Sequence, residues 1–189
     1  MTSGKLVIIS SPSGGGKDTV ISALLKKFLN SAKLVTTTTR LPNRQGDKNG
    51  VTYYFVDKTN FEQKIKNQEL VEYNVYADNY YGIEKKELEN KLKKFDLVFS
   101  NVDIHGRRHL VEAGFKNLSI FLLPDKLETL EKRIKNRSSV SESELKSRIE
   151  TAKSEITAAK EYDFKVVNQD GQLPKTIDNV AKIIQDYIT

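Results

Sequence analysis

The stretch SSPSGGGKDT, residues 10–19, sets three consecutive glycines, a lysine, a carboxylate and a hydroxyl directly behind an aliphatic run, Leu6–Ile9. The chemistry this order suits is phosphate binding. Gly14, Gly15 and Gly16 let backbone N–H groups turn inward around anionic oxygens that side chains would obstruct. Lys17 adds a cation for the outer phosphates, and the helix expected after it offers its positive N-terminal end to the same oxygens. Such loops read G-x-x-x-x-G-K-[ST], with the last hydroxyl on magnesium. Here Ser11 stands at the first glycine and Asp18 at the hydroxyl. Ser11 is small enough to make the turn, and Pro12, Ser13 and Thr19 complete the loop. Asp18 leaves two readings open. Its carboxylate coordinates magnesium, directly or through water, since carboxylate oxygen is an ordinary ligand for that ion. Alternatively, it is a first-turn residue suited to the helix dipole, and magnesium is held elsewhere.

A second group of residues could take a second phosphate. In TTTTRLPNRQGD, residues 36–47, threonine hydroxyls precede Arg40 and Arg44. Arginine forks match phosphate oxygens, although an edge strand of β-branched threonines would use the same letters. In LVEYNVYADNYYG, residues 70–82, one carboxylate, Glu72, lies among tyrosines. A carboxylate can accept two N–H donors from the Watson–Crick edge of guanine, and tyrosines can flank a base or bind its phosphate. A half-buried strand with paired tyrosines is the plainer reading. His105 and His109 sit four apart on an expected helix, but Arg107 and Arg108 lie between them and no third ligand is evident, which reads as a polar helix face.

The elements that must position these residues follow from the apolar pattern. Leu6–Ile9, Leu97–Phe99, Ile120–Leu123 and Val166–Val167 read as buried strands. Helices are predicted over 19–29, near 103–113, 126–137 and 142–161, and at the C-terminus through Ile177, Val180, Ala181, Ile184 and Ile188. Strands alternating with helices predict a parallel sheet covered on both faces. Residues 35–83, rich in Thr, Tyr, Asn and Gly, break the rhythm and predict a small mixed β unit inserted into that core. Residues 125–150 are highly charged and carry Arg133, Arg137 and Arg148 at helical spacing, as a mobile flap would.

The chain has 189 residues, 38% hydrophobic and 30% charged, the size and balance of one soluble domain. No apolar run approaches the roughly 20 residues of a membrane span. No charged start with an apolar stretch and cleavage site marks a secreted protein. Cysteine is absent, which excludes disulfides and thiolate chemistry and suits a reducing cytoplasm. The net charge of +6 fits a site for several phosphates, or nucleic acid, or a lysine-rich solvated surface.

Together the segments SPSGGGKDT, TTTTR with RQGD, NGVTYYFV, VEYNVYADNYYG, NVDIHG, the arginine-rich 133–148 and YDFKVVNQD resemble the guanylate kinase family over almost the whole chain, in order and spacing. The resemblance implies an α/β fold in one domain. A P-loop three-layer parallel sheet core (1–34, 84–124 and 161–189) would hold ATP, an inserted mixed β unit (35–83) GMP, and a helical lid (125–160) would close over both. It implies that Thr36, Arg40, Arg44, Tyr53 and Tyr81 bind the GMP phosphate and that Glu72 holds the guanine edge. Lys17, Arg133 and Arg148 would neutralise the transferring phosphoryl group, with Arg44 among the catalytic arginines and Arg137 assisting on the ATP side. Asp103 would sit near magnesium and the acceptor, Asp18 at the metal, and Asn168 near the adenine. The implied partners are ATP with Mg²⁺ and GMP, in a cytoplasmic monomer or homodimer that binds neither nucleic acid nor membrane.

Five positions depart from the family's pattern. Asn43 stands where the second arginine is usual, which shifts that role to Arg44. Ile83 replaces the serine or threonine after YYG that helps read guanine. Asn101 replaces the first aspartate of a D-x-D pair, His105 a glutamine, and Asp18 the loop hydroxyl. A related family with the same core, ribose 1,5-bisphosphokinase, tends to carry G-K-D, an aliphatic residue after YYG and an N-x-D-G turn like NQDGQL. Glu72, Tyr53 and the paired arginines favour a nucleotide over a sugar phosphate. Non-catalytic binding modules built on the guanylate kinase fold usually lose the loop lysine and glycines, which are intact here.

Overall fold

The structure is a computed structural model; it describes residues 4–43, 46–76, 78–137 and 141–189. In chain order it runs β1 (Lys5–Ser10), α1 (Lys17–Lys27), β2 (Ser31–Lys33), β3 (Thr36–Thr38), β4 (Tyr53–Phe55), α2 (Lys58–Lys66), β5 (Leu70–Tyr76) and β6 (Asn79–Glu84). It continues through α3 (Lys85–Lys94), β7 (Leu97–Ser100), α4 (Ile104–Glu112), β8 (Asn117–Pro124), α5 (Leu127–Arg137), α6 (Glu142–Ala158), β9 (Phe164–Asn168) and α7 (Leu173–Ile188).

Five strands form the core sheet in the order β2-β7-β1-β8-β9, every neighbouring pair parallel. The unbroken apolar run of β1 has a physical cause: alternate residues serve opposite faces, and both faces are covered. Val7 and Ile9 pack with Val20 and Leu24 of α1 and with Val180 and Ile184 of α7. Leu6 and Ile8 pack with Leu88 of α3, Leu110 of α4 and Tyr162. The three layers expected from the alternation of strands and helices are present. Because β1 sits in the middle of the order and its neighbours connect outward in both directions, the carboxyl ends of β1, β7, β8 and β9 open on one crevice, the place where such sheets bind ligands.

The second sheet runs β4-β3-β6-β5. β3 and β4 are parallel, whereas β6 is antiparallel to both β3 and β5. This is the mixed β unit expected from 35–83, with one correction: it also contains the helix α2. Asp57 caps α2 by accepting from the Asn60 N–H, and Phe61 is the helix's one fully buried side chain, stacked at 5.0 Å on Tyr80. A nine-residue helix anchored by one aromatic has too little periodicity to register in sequence. The same holds for α3, KKELENKLKK, where Leu88 alone is buried. α1 begins at Lys17, two residues before the predicted start, so Asp18 lies in its first turn. In the charged 125–150 region, α5 and α6 share a small core of their own, Leu130, Ile134, Ile149 and Ala152. Among the described residues no helix is long and apolar enough to cross a membrane.

Candidate active site

The turn between β1 and α1 is held from within and from beside. Gly14 and Gly16 have φ of 79° and 91°, the left-handed region that favours glycine. A Cβ on Gly15 would stand 2.5 Å from the Ser11 Cβ, and one on Gly16 2.7 Å from the Asn168 Nδ2, so neither site admits a side chain. Asn168, at the end of β9, donates to the Gly15 carbonyl at 2.9 Å and accepts from the Thr176 hydroxyl at 3.0 Å. This places Asn168 against the loop itself; it is buried and braces the turn. The loop walls a cleft of about 520 Å³ with Lys17, Asp18, Thr19, Arg133 and the Asn168–Gly171 turn.

Asp18 does not hang free at the helix start. Asn101 Nδ2, beyond the end of β7, donates to Asp18 Oδ1 at 2.8 Å, and Lys33 Nζ, at the end of β2, donates to the same oxygen at 3.1 Å. Among the described residues no donor reaches Oδ2. Burial pushes the Asp18 carboxyl up, but Lys33 and Lys17 outweigh it, and the group is held below its ordinary value. Asp18 and Asn101, two of the five departures from the family pattern, are therefore in direct contact.

The second sheet gathers the acceptor candidates. Thr36 lies opposite Tyr53 in the β3–β4 register and Thr38 opposite Tyr81 in β3–β6. The Tyr53 and Tyr81 rings meet edge to face at 6.0 Å, and the Arg40 guanidinium sits 5.3 Å from the Tyr53 ring. Arg40 is buried and forks onto Asp47, with Nη2 to Oδ1 at 2.7 Å and Nη1 to Oδ2 at 2.9 Å. Arg44 and the side chain of Arg137 lie outside the described residues.

Glu72, on β5, is 7% exposed. Its pocket exists because Gly106 lacks a side chain: a Cβ there would approach Glu72 Oε2 to 3.2 Å and Val102 Cβ to 2.9 Å. Asp103 caps α4 by accepting from the Gly106 N–H at 2.9 Å, and its other oxygen accepts from Asn74 Nδ2 at 3.3 Å. Burial, with Asp103 nearby, pushes the Glu72 carboxyl up to about 8. Ile83 is fully buried in the core with Leu6, Ile8 and Leu88, so its aliphatic character serves packing.

The flap arginines also rest on carboxylates. Arg133 Nη2 reaches Asp170 Oδ1 across the cleft at 3.0 Å, and Arg148 Nη2 reaches Glu144 Oε1 at 2.6 Å, one turn away on α6. Two residues beside the candidate site gave no clear signal in the sequence. Gly106 was legible only as one letter of a turn. Glu155, on α6, gave no signal within a charged helix, yet its carboxyl is pushed up to about 7 by burial, pulled back by Lys17, and raised further by Asp103.

The glycine loop with Lys17 and the buried Glu72 carboxylate are the two chemical features of the candidate site. The guanylate kinase family model matches residues 3–187. The chain belongs to the guanylate kinase family. It is 36% identical over 181 residues to the guanylate kinase of Rickettsia felis, covering 96% of this chain and 93% of that one. To the guanylate kinase of a Nostoc species it is 40% identical over 168 residues, covering 89% and 84%. The crystal structure of guanylate kinase from Anaplasma phagocytophilum superposes with a TM-score of 0.78 at 29% identity, covering all of this chain and 88% of that one.

Proposed function

We propose that this chain transfers the γ-phosphoryl group of ATP to GMP, and to dGMP, giving ADP and the guanosine diphosphate. The observation that carries the acceptor assignment is Glu72: a carboxylate buried beside Asp103, with Gly106 clearing its space, is matched to paired N–H donors such as guanine N1 and N2. A sugar phosphate offers no such edge. Ile83, which the ribose 1,5-bisphosphokinase reading shares, is accounted for by packing.

In the proposed mechanism a phosphate oxygen of GMP attacks the γ-phosphorus in line, and the bond to the ADP oxygen breaks. Phosphoryl transfer asks for positioning and charge neutralisation rather than a covalent nucleophile. The backbone N–H groups of Gly14 and Gly16 and the Lys17 ammonium hold the donor phosphates, while the Gly15 N–H closes the turn onto the Pro12 carbonyl at 2.8 Å. Arg40, Arg44, Thr36, Tyr53 and Tyr81 hold the acceptor phosphate, and Glu72 and Asp103 orient the base. Arg133 and Arg148 exchange Asp170 and Glu144 for phosphoryl oxygens when the α5–α6 pair closes as a lid, with Arg137 assisting, and closure excludes water as a rival acceptor. Asn168 acts by bracing the loop beneath the nucleotide.

The residues fit a magnesium ion. Asp18 lines the cradle with Oδ2 open, and magnesium takes one or two carboxylates alongside phosphate oxygens. Asp18 is the proposed ligand; Asp103, occupied on both oxygens, sits on the acceptor side. When bound with ATP, the ion supplies further neutralisation of the phosphate oxygens. The same reading places the chain in the cytoplasm, as a monomer or homodimer with ATP and GMP as its partners. Asp18→Ala tests the metal assignment: the magnesium requirement should rise far more than the KM for GMP, and an unchanged requirement would return Asp18 to a helix-end role.

A further inference from the structure

Asp18 meets three charged or polar side chains: Lys17 beside it, Asn101 on one oxygen and Lys33 on the same oxygen. A carboxylate beside a phosphate cradle poses an electrostatic problem at both ends of the cycle. Bare, it repels the incoming triphosphate; paired with a protein cation, it is a poorer ligand for magnesium. Lys33 bears on both. Its ammonium lies 3.1 Å from Asp18 Oδ1, and the pair is only partly shielded, with side chains 30% and 49% exposed. Asn101 fixes Oδ1 from the β7 side with a neutral donor, so the carboxylate plane is set whether or not the lysine stays. Oδ2 remains open. One oxygen is thus held by a fixed amide and a displaceable cation, and the other is left for a ligand. Lys33 sits at the end of β2, an edge strand of the core sheet, with a flexible stem that lets the ammonium swing into solvent.

We propose that Lys33 is a built-in counter-ion for Asp18, which keeps the carboxylate neutralised while the cradle is empty and yields to the divalent cation that arrives with ATP, so that metal enters as the nucleotide complex and not alone. This rests on Asp18 being the metal-binding carboxylate. It adds a residue on β2 that touches neither phosphate nor base but sets the order in which metal and nucleotide bind. Lys33 is therefore a positioning residue.

The test uses nucleotide-free full-length protein and two readouts that need no turnover: Mn²⁺ binding followed by electron paramagnetic resonance, and metal-free ATP binding followed by calorimetry in the presence of a chelator. Lys33→Met should bind Mn²⁺ about tenfold more tightly than wild type, the size expected when a unit charge close to a partly solvated cation site is removed. It should also bind metal-free ATP several-fold more weakly, because the uncovered carboxylate repels it. Lys33→Arg should stay near wild type in both. Lys33→Gln gives a second neutral variant should the Met variant fold poorly. Equal Mn²⁺ affinity in wild type and the neutral variants overturns the proposal. Adding Asp18→Asn to Lys33→Met separates the two layers of the argument. Loss of the gained Mn²⁺ affinity supports both, whereas its persistence places the metal away from Asp18 and removes the reading on which the proposal rests.

Discussion

Glu72 is the residue whose chemistry most constrains what the site can take. Its carboxyl is pushed up to about 8, so near neutral pH it is largely protonated, yet it must be ionised to accept two N–H donors from guanine. The affinity for GMP should therefore rise as pH increases toward 8 and level off above it, with a proton released on binding below that range. Measuring KM for GMP between about pH 6.5 and 9 checks this. Glu72→Gln should abolish the slope and weaken GMP far more than ATP. The same shift has a stability consequence. Over the window from the ordinary value, 4.5, to about 8 the native state holds a proton that the unfolded chain has released. Stability from this group is therefore lost as pH rises through that window, and Glu72→Gln should flatten the loss in a melting series. Lys17→Ala tests the opposite end of the crevice: kcat should fall by about 100-fold or more while GMP binding, read by calorimetry, persists. Retained activity there contradicts the phosphate-loop assignment. Both residues stood out as candidates in sequence because their types and neighbours suit these proposed roles. What was not legible was partnership: that Asn101 and Lys33 clasp Asp18, that Asp47 forks Arg40, and that Gly106 makes room for Glu72. The Asp18 and Glu72 contacts join residues distant in the chain, and the Arg40–Asp47 pair is set by the fold of one loop, so no periodic pattern encodes any of them.

At the scale of elements, the strands and helices with long apolar periods were readable and the short ones were not. β1, β8 and α7 bury several side chains each, so their patterns carry weight. α2 and α3 bury one side chain each to the full, Phe61 and Leu88, and apart from the half-buried Ile65 and Leu92 the rest of each helix is polar. α2 nonetheless supports the second sheet, because Phe61 stacks on Tyr80 and meets Tyr73 edge to face at 6.5 Å. Phe61→Ala should cost about 3–5 kcal/mol of stability, read by denaturant unfolding. In the surviving folded protein it should raise KM for GMP more than KM for ATP, since the core sheet does not depend on it. Equal effects on both substrates would mean that the second sheet does not act as a separate support for the acceptor.

At the scale of the whole molecule, the arginines expected at the phosphoryl group rest on carboxylates, Arg133 on Asp170 and Arg148 on Glu144, within a helix pair that has its own small core. In the proposed mechanism the exchange of those carboxylates for phosphoryl oxygens accompanies a movement of α5 and α6 over the crevice. Adding ATP analogue and GMP together should therefore shrink the radius of gyration in small-angle scattering more than either nucleotide alone, and an unchanged radius would contradict a closing lid. The basic balance of the chain, +6, has a natural use in a site that must hold two clusters of phosphate. The measurement that bears most directly on the whole reading is ADP release coupled to a reporter, run with GMP, dGMP, AMP, UMP and ribose 1,5-bisphosphate as acceptors under one magnesium concentration. Turnover with GMP and dGMP well above the other three is the predicted result. Turnover of the sugar phosphate with none of GMP would contradict it.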